Sequence, residues 1–318
     1  MPYPSYARIK PDDVKALYAY FIHGVAPVSK SNVKSDIPWP MSARWPLTVW
    51  RKTFAPAVAT DDASSNSASD PVVRGRYLVQ GLGHCSACHT PRGVAFQERA
   101  LTDQDGALFL SGGIADGWSA DNLHPDAADG LGGWSDKDLV EFLKTGRNAH
   151  SAAFGAMAEV VRYSTQYLSD EDLFAISSYL KSLPLSNGAQ RPLVSDGARA
   201  KALYSGDVSL AGARTFVNSC AACHRTNGEG YEGVFPRLAL SAAVNAADPT
   251  SLIHIVLTGS RMPSTKNAPA AFAMPDFAGR LTDQQIADVV TFVRQSWGNK
   301  ASAINVGQVA KIRKDLKP

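Results

Sequence analysis

The chain has 318 residues, a formal charge of +3 from 32 Lys and Arg against 29 Asp and Glu, and 45% hydrophobic residues. That length leaves room for two or three small domains, and the near-balanced charge argues against a nucleic-acid-binding face. No apolar run approaches the ~20 residues needed to cross a bilayer; Leu252 to Leu257, among the longest, is interrupted by His254.

Taken in chain order, the first residues, Met1-Pro2-Tyr3-Pro4, lack the basic and apolar regions and the cleavage site of an export signal. Ile9-Lys10-Pro11-Asp12-Asp13-Val14 opens an amphipathic helix through Ala16, Leu17, Tyr20 and Phe21, with Pro11 suited to its first turn. Ile37 to Phe54 holds Trp39, Trp45 and Trp50 and reads as a connecting arm that packs on the rest; a docking surface is the sharper alternative. Ala59 to Asp70 is a linker by composition. Asp70-Pro71 opens a helix that runs toward Cys85-Ser86-Ala87-Cys88-His89. A shorter helix starts at Ser135-Asp136-Lys137-Asp138 and stops near Gly146, and a longer one starts at Leu168-Ser169-Asp170-Glu171-Asp172-Leu173.

After a second linker, Leu185 to Ala200, the pattern repeats. A helical run over Ala211 to Asn218 precedes Cys220-Ala221-Ala222-Cys223-His224; Asp248-Pro249 opens a short helix stopped near Gly259; Leu281-Thr282-Asp283-Gln284-Gln285-Ile286 opens a terminal one. Ser169 with Asp172 and Thr282 with Gln285 are capping-box pairs. The expected organisation is an N-terminal piece over 1–58, domains over 70–184 and 200–298, and a basic tail over 299–318. No stretch sustains period-2 alternation, so the fold class is all-α.

The two Cys-x-x-Cys-His segments use every cysteine in the chain. That pentapeptide is the attachment signal for c-type haem: two thiols one helical turn apart add to the porphyrin vinyl groups, and the adjacent His becomes the proximal iron ligand. A zinc site would gather four ligands at one centre, whereas these sets are self-contained and far apart. The expected cofactors are two haem c groups, attached through Cys85, Cys88, Cys220 and Cys223, with His89 and His224 on iron.

A sixth protein ligand closes a haem for electron transfer, and Met in that place raises the potential. Met157 and Met274 each lie shortly before a terminal helix, and this shared placement favours them over packing roles. Met262 competes for the second haem and His150 for the first. His23, His84, His124 and His254 read as structural or solvated, and Met41 as packing. Pro236 is placed for its carbonyl to accept from His224; no equivalent proline follows His89. Arg92 is a candidate partner for a propionate, and Trp118 and Trp134 for haem-wall packing.

With these residues in place, the chain resembles the cytochrome c subunit of bacterial membrane-bound dehydrogenases, the type that partners alcohol, gluconate, aldehyde or nicotinate dehydrogenases. The resemblance covers essentially the whole chain. It is carried by Met1-Pro2-Tyr3-Pro4-Ser5-Tyr6, Ile37-Pro38-Trp39-Pro40, Gly83 through Arg92, Gly155-Ala156-Met157-Ala158-Glu159-Val160-Val161 and Ser296-Trp297-Gly298-Asn299. It implies electron flow from a dehydrogenase catalytic subunit to membrane ubiquinone, at the periplasmic face of the cytoplasmic membrane.

Family members carry three attachment motifs and this chain has two. The expected fold is therefore two class-I-like cytochrome c domains in tandem plus an N-terminal remnant of a third, with Met1 where the family places a ligand of its first haem. Truncation of a three-haem protein is the expectation, a natively dihaem chain its alternative. The tail, with Lys311, Arg313, Lys314 and Lys317 beside Val309, Ile312 and Leu316, reads as a solvated segment, with a peripheral membrane contact as the sharper alternative. Rival functions are a dihaem peroxidase with an open haem and a free periplasmic electron shuttle. No nucleic-acid partner and no organic turnover by the isolated chain are expected.

Overall fold

The structure, a computed structural model, describes residues 2–58, 70–186, 192–195 and 197–316. Met1, Lys317, most of the first linker and part of the second lie outside the described residues.

The N-terminal piece comprises α1 (Tyr3–Tyr6), α2 (Pro11–Ala19), which widens into a π turn over Tyr20–Gly24, and α3 (Pro46–Phe54). It rests on the middle domain through a few anchors. Ala7 and Ile9 are buried, the Tyr77 hydroxyl donates to the Asp13 carboxylate, and Trp50 Nε1 donates to the Ala95 carbonyl at 2.8 Å. The stripe of α2 is not covered: Val14, Leu17 and Phe21 are exposed. Nor does the arm pack along its length. Trp39 is 83% and Trp45 74% exposed, because the chain before α3 is irregular and α3 is where the arm reaches the middle domain.

The middle domain begins with α4 (Pro71–Tyr77), where Asp70 accepts from the Val72 amide at 2.8 Å and Pro71 occupies the first turn. A π turn over Leu78–Leu82 delivers the chain to α5 (Ser86–His89). Then come strands β1 (Gly113–Ala115) and β2 (Trp118–Ala120), followed by α6 (Asp136–Thr145), α7 (Gly155–Tyr163) and α8 (Asp170–Ser182). Leu78, Val79, Phe109, Leu110, Leu139 and Tyr179 form its core. The Ser169–Asp172 capping box expected from sequence is half formed. Ser169 accepts from the Asp172 amide at 3.1 Å, but the Asp172 carboxylate is taken by Arg74 at 2.7 and 2.9 Å.

The C-terminal domain repeats the plan with α9 (Ala198–Tyr204), α10 (Ala213–Ser219), α11 (Ala221–His224), α12 (Ala242–Asn245), α13 (Thr250–Thr258), strands β3 (Ser260–Arg261) and β4 (Ala273–Met274), and α14 (Asp283–Arg294). Phe216, Ile253, Leu257, Ile286, Phe292 and Trp297 fill its core. The Thr282–Gln285 box closes in both directions. Buried Arg294 donates to the carbonyls of Ser302, Val244 and Ala246 at 2.9–3.0 Å, tying α14 to the loops around α12.

The two halves share a close helix crossing. A Cβ on Gly75 of α4 would lie 2.6 Å from the Ala175 carbonyl carbon on α8 and 2.7 Å from Tyr179 Cβ. On Gly212, at the start of α10, it would lie 2.5 Å from the Asp288 carbonyl carbon on α14. Ala175 and Asp288 stand the same distance past their N-caps, Ser169 and Thr282. One geometry is built twice.

Two expectations are corrected. The fold is helix-rich but not wholly α: β1–β2 and β3–β4 are short antiparallel pairs. The first turns through Asp116-Gly117, both at positive φ (50° and 76°), the conformation a two-residue hairpin requires. The basic tail is not a solvated segment either. It forms α15 (Val306–Asp315), whose Val309 is buried in the C-terminal core with Ile312 and Leu316 packed beside it. Arg313 donates to the Asp283 carboxylate at 2.6 Å and to the carbonyls of Ala278 and Leu281 at 2.6 and 3.0 Å. The apolar stripe read as a membrane face is spent inside the protein.

Candidate functional site

Each Cys-x-x-Cys-His segment is a single helical turn with the same bonding. The Cys88 and His89 amides donate to the Cys85 carbonyl at 3.2 and 3.0 Å; those of Cys223 and His224 donate to the Cys220 carbonyl at 3.2 and 2.9 Å. The turn brings the paired thiols and the following imidazole to one place in the chain. All four cysteines are unpaired. Burial pushes the Cys85 thiol up to about 12 and Cys220 up to about 11, so both are neutral thiols at pH 7.

The imidazoles are set by one bond each. His224 Nδ1 donates to the Pro236 carbonyl at 2.9 Å, and His89 Nδ1 donates to the Asp121 carbonyl at 2.7 Å. A carbonyl can only accept, so Nδ1 carries the proton and Nε2 keeps its lone pair for a metal. Burial holds both side chains below the usual histidine pKa, despite the opposing carbonyl bond, which favours the neutral ligand.

Asp121 is the acceptor that sequence reasoning missed. It reaches His89 because the β1–β2 hairpin is laid against α5: the Gly112 amide donates to the His89 carbonyl at 2.8 Å, and the Leu110 amide donates to Thr90 Oγ1 at 3.0 Å. Gly113 has no room for a side chain, since a Cβ there would lie 2.5 Å from the Cys88 carbonyl oxygen. The readable signal was the Asp116-Gly117 turn, which sets the hairpin and so the position of the residue after β2.

The hairpin also leads to Met157. Trp118 of β2 packs 5.6 Å from the Phe154 ring, and Gly155, at φ 54°, lies under the indole, where a Cβ would fall 2.6 Å away. Met157 sits half-buried in the first turn of α7. In the C-terminal domain the loop after α11 does the corresponding work. The Gly230 amide donates to the His224 carbonyl at 3.1 Å, and Phe235 meets Phe272 edge to face at 5.6 Å. Phe272 adjoins β4, which ends on half-buried Met274. Met262 lies on the facing chain, its amide donating to the Phe272 carbonyl at 2.9 Å. Both methionines therefore come to one strand pair. A cavity of about 580 Å³ opens beside this loop, lined by Arg225, Tyr231, Phe235 and Arg237 and, from the middle domain, Asn148 and Ala149.

The remaining candidates are engaged elsewhere. His150 stacks on Trp134 at 5.3 Å, with Nε2 3.3 Å from the Asp138 carboxylate. Both Arg92 Nη groups donate to carbonyls, of Phe96 at 2.8 Å and of Ala87, so the guanidinium ties the loop after α5 together. His84 packs edge-on against Tyr6 at 5.8 Å. Buried His124 places its ring nitrogens against the Pro184 and Phe109 carbonyls.

The donor set suits a c-type haem: paired free thiols and a neutral imidazole with an open Nε2, in one turn, with a thioether brought to the same domain. Comparison with known proteins agrees. Residues 209–297 match the Cytochrome c family. The gluconate 2-dehydrogenase cytochrome c subunit of Pantoea cypripedii is 53% identical over 99% of this chain and 72% of its own length. The cytochrome c subunit of the alcohol dehydrogenase (quinone) of Gluconacetobacter polyoxogenes is 49% identical over 98% of this chain and 67% of its own. A diheme cytochrome c-type protein of Cereibacter sphaeroides is 36% identical over 58% of this chain and 58% of its own. With haem c as its cofactor and electron transfer as its work, the chain belongs to the family of cytochrome c subunits of membrane-bound dehydrogenases.

Proposed function

We propose that the chain carries two covalent haems c in tandem cytochrome c domains, one on Cys85, Cys88 and His89 and the other on Cys220, Cys223 and His224. Met157 and Met274 are the sixth ligands. The observation that carries this reading is the repetition: twice, unpaired thiols and a histidine share one turn, and twice the imidazole Nδ1 is bonded to a carbonyl. Each haem, when bound, supplies one-electron exchange between ferric and ferrous iron. The chain's own groups tune that exchange. The Nδ1–carbonyl bonds fix the ring orientation and raise imidazole basicity, while the thioethers favour the ferrous state. With Met157 and Met274 as sixth ligands neither haem would keep an open position for peroxide, so the reading is a carrier and not a peroxidase.

Electrons enter from the catalytic subunit of a partner dehydrogenase and leave to ubiquinone, in keeping with relatives whose names pair this subunit with gluconate and quinone-dependent alcohol dehydrogenases. The work is done in the periplasm, at the outer face of the cytoplasmic membrane. Among the described residues no helix is long and apolar enough to cross a membrane. In the test, chemically reduced holoprotein is mixed with a short-chain ubiquinone in a stopped-flow spectrometer, alone and with the partner subunit. Reoxidation of the haem α-band at the expense of quinone is expected. A band that persists in both mixtures contradicts the quinone step.

A further inference from the structure

The middle and C-terminal domains meet through the segments that carry the candidate sixth ligands. In this seam the Trp118 indole lies face to face on the His254 imidazole, centroids 3.8 Å apart and planes 13° from parallel. His254 Nδ1 donates to the Gly117 carbonyl at 2.8 Å. Beside the stack Ser119 and Ser251 bond reciprocally: the Ser119 amide to Ser251 Oγ at 2.8 Å, the Ser251 amide to Ser119 Oγ at 3.2 Å, and Ser251 Oγ to the Ser119 carbonyl at 2.8 Å. On the other flank the Gly155 amide, two residues before Met157, donates to Ser260 Oγ at 3.4 Å. Ser260 is the ladder partner of Met274. The contact sequence from one methionine segment to the other is thus short: Gly155 touches both Trp118 and Ser260, and Ser260 pairs with Met274.

Domains of one chain generally shift against each other unless their interface is large and apolar. This seam instead uses buried polar groups: Ser251 and His254 are both buried, and each bonds across to the hairpin. Such bonds are directional, so they set orientation as well as contact. Trp118 packs on Phe154 and over Gly155 within its own domain, and its stack on His254 carries that contact across the seam.

We propose that Trp118 and His254 are positioning residues for electron exchange between the two haem sites. Their stack holds the Met157 segment against the Met274 segment, and electrons cross the molecule at this seam. The proposal rests on the two-haem reading above. The exchange is a single-electron transfer in which one site passes from ferrous to ferric and the other from ferric to ferrous; no proton moves and no outside reactant is consumed. Neither side chain is itself oxidised.

The test uses the holoprotein. A substoichiometric flash of a flavin reductant loads less than one electron per chain, and the redistribution between haems is followed after both midpoint potentials have been measured. Trp118→Ala is expected to slow redistribution on the order of tenfold, as misplacement of reacting partners does, when each rate is compared at the driving force set by the potentials measured in that variant. Trp118→Phe keeps a ring on the imidazole and restores the rate. If Trp118→Ala does not mature, His254→Ala cuts the same stack from the other domain and carries the same expectation. Redistribution at the unsubstituted rate in these alanine variants overturns the positioning role alone. Absence of any redistribution phase in unsubstituted holoprotein that carries two haems by mass overturns this proposal, whereas a single haem per chain overturns the two-haem reading beneath it.

Discussion

Met274→Ala is expected to remove roughly half of the methionine–iron charge-transfer absorbance of the oxidised protein, one of two closed sites, and to lower one midpoint potential while leaving the other in place. Met157→Ala should remove the other half, and the double variant all of it. The physical ground is the thioether's preference for ferrous iron, so its loss stabilises the ferric state. The structure makes a control essential, because Met262 and Met274 come to the same strand pair, β3–β4 and its extension. Met262→Ala should leave the band and both potentials as they are. If Met262→Ala abolishes half of the band and Met274→Ala does not, the assignment of the second sixth ligand is reversed.

Gly75→Ala should be among the most damaging single changes to stability in the middle domain. A methyl there meets the Ala175 carbonyl group and Tyr179 Cβ at the crossing of α4 and α8. Backbone cannot step aside as a flexible side chain can, so the helices must separate and Tyr179 and Leu180 lose packing. Overpacking of a close-packed site costs ~1–3 kcal/mol and occasionally more, and a clash with main chain belongs at the upper end. That is a fall of roughly 10–20 °C in the domain's melting temperature. Gly212→Ala should do comparable harm to the C-terminal domain, adding the strain of a side chain at φ 82°. Calorimetry that resolves two transitions checks this: each substitution should lower one, and a change below ~0.5 kcal/mol would show that the crossing relaxes freely.

What the sequence made legible was local. Asp70-Pro71, Ser135 with Asp138, Thr282 with Gln285 and the glycine stops at Gly146 and Gly259 act within one helical turn, and the structure has helix ends at each. The Cys-x-x-Cys-His turns are local as well. The misses share another cause, which is contact at long range. Asp172 left its capping box because Arg74, nearly a hundred residues upstream, offers a bidentate charged partner. Asp121 serves His89 through a hairpin whose short strands gave no alternation to read. The tail looked like a free amphipathic segment because periodicity shows that a stripe will be covered, not what covers it. Trp118 reads as haem-wall packing and His254 as structural or solvated; that they stack on each other, between the two halves, is visible in three dimensions only.

Haem stoichiometry on the intact protein tests whether two haems are present, each held by its own pair of cysteines. Acid–acetone extraction followed by intact mass determination, with a pyridine haemochrome assay against polypeptide concentration, should return the polypeptide plus two covalent haems. Cys85→Ala with Cys88→Ala, and separately Cys220→Ala with Cys223→Ala, should each return one. A mass equal to the bare polypeptide, or to a single adduct in the unsubstituted protein, would rule out two covalent haems.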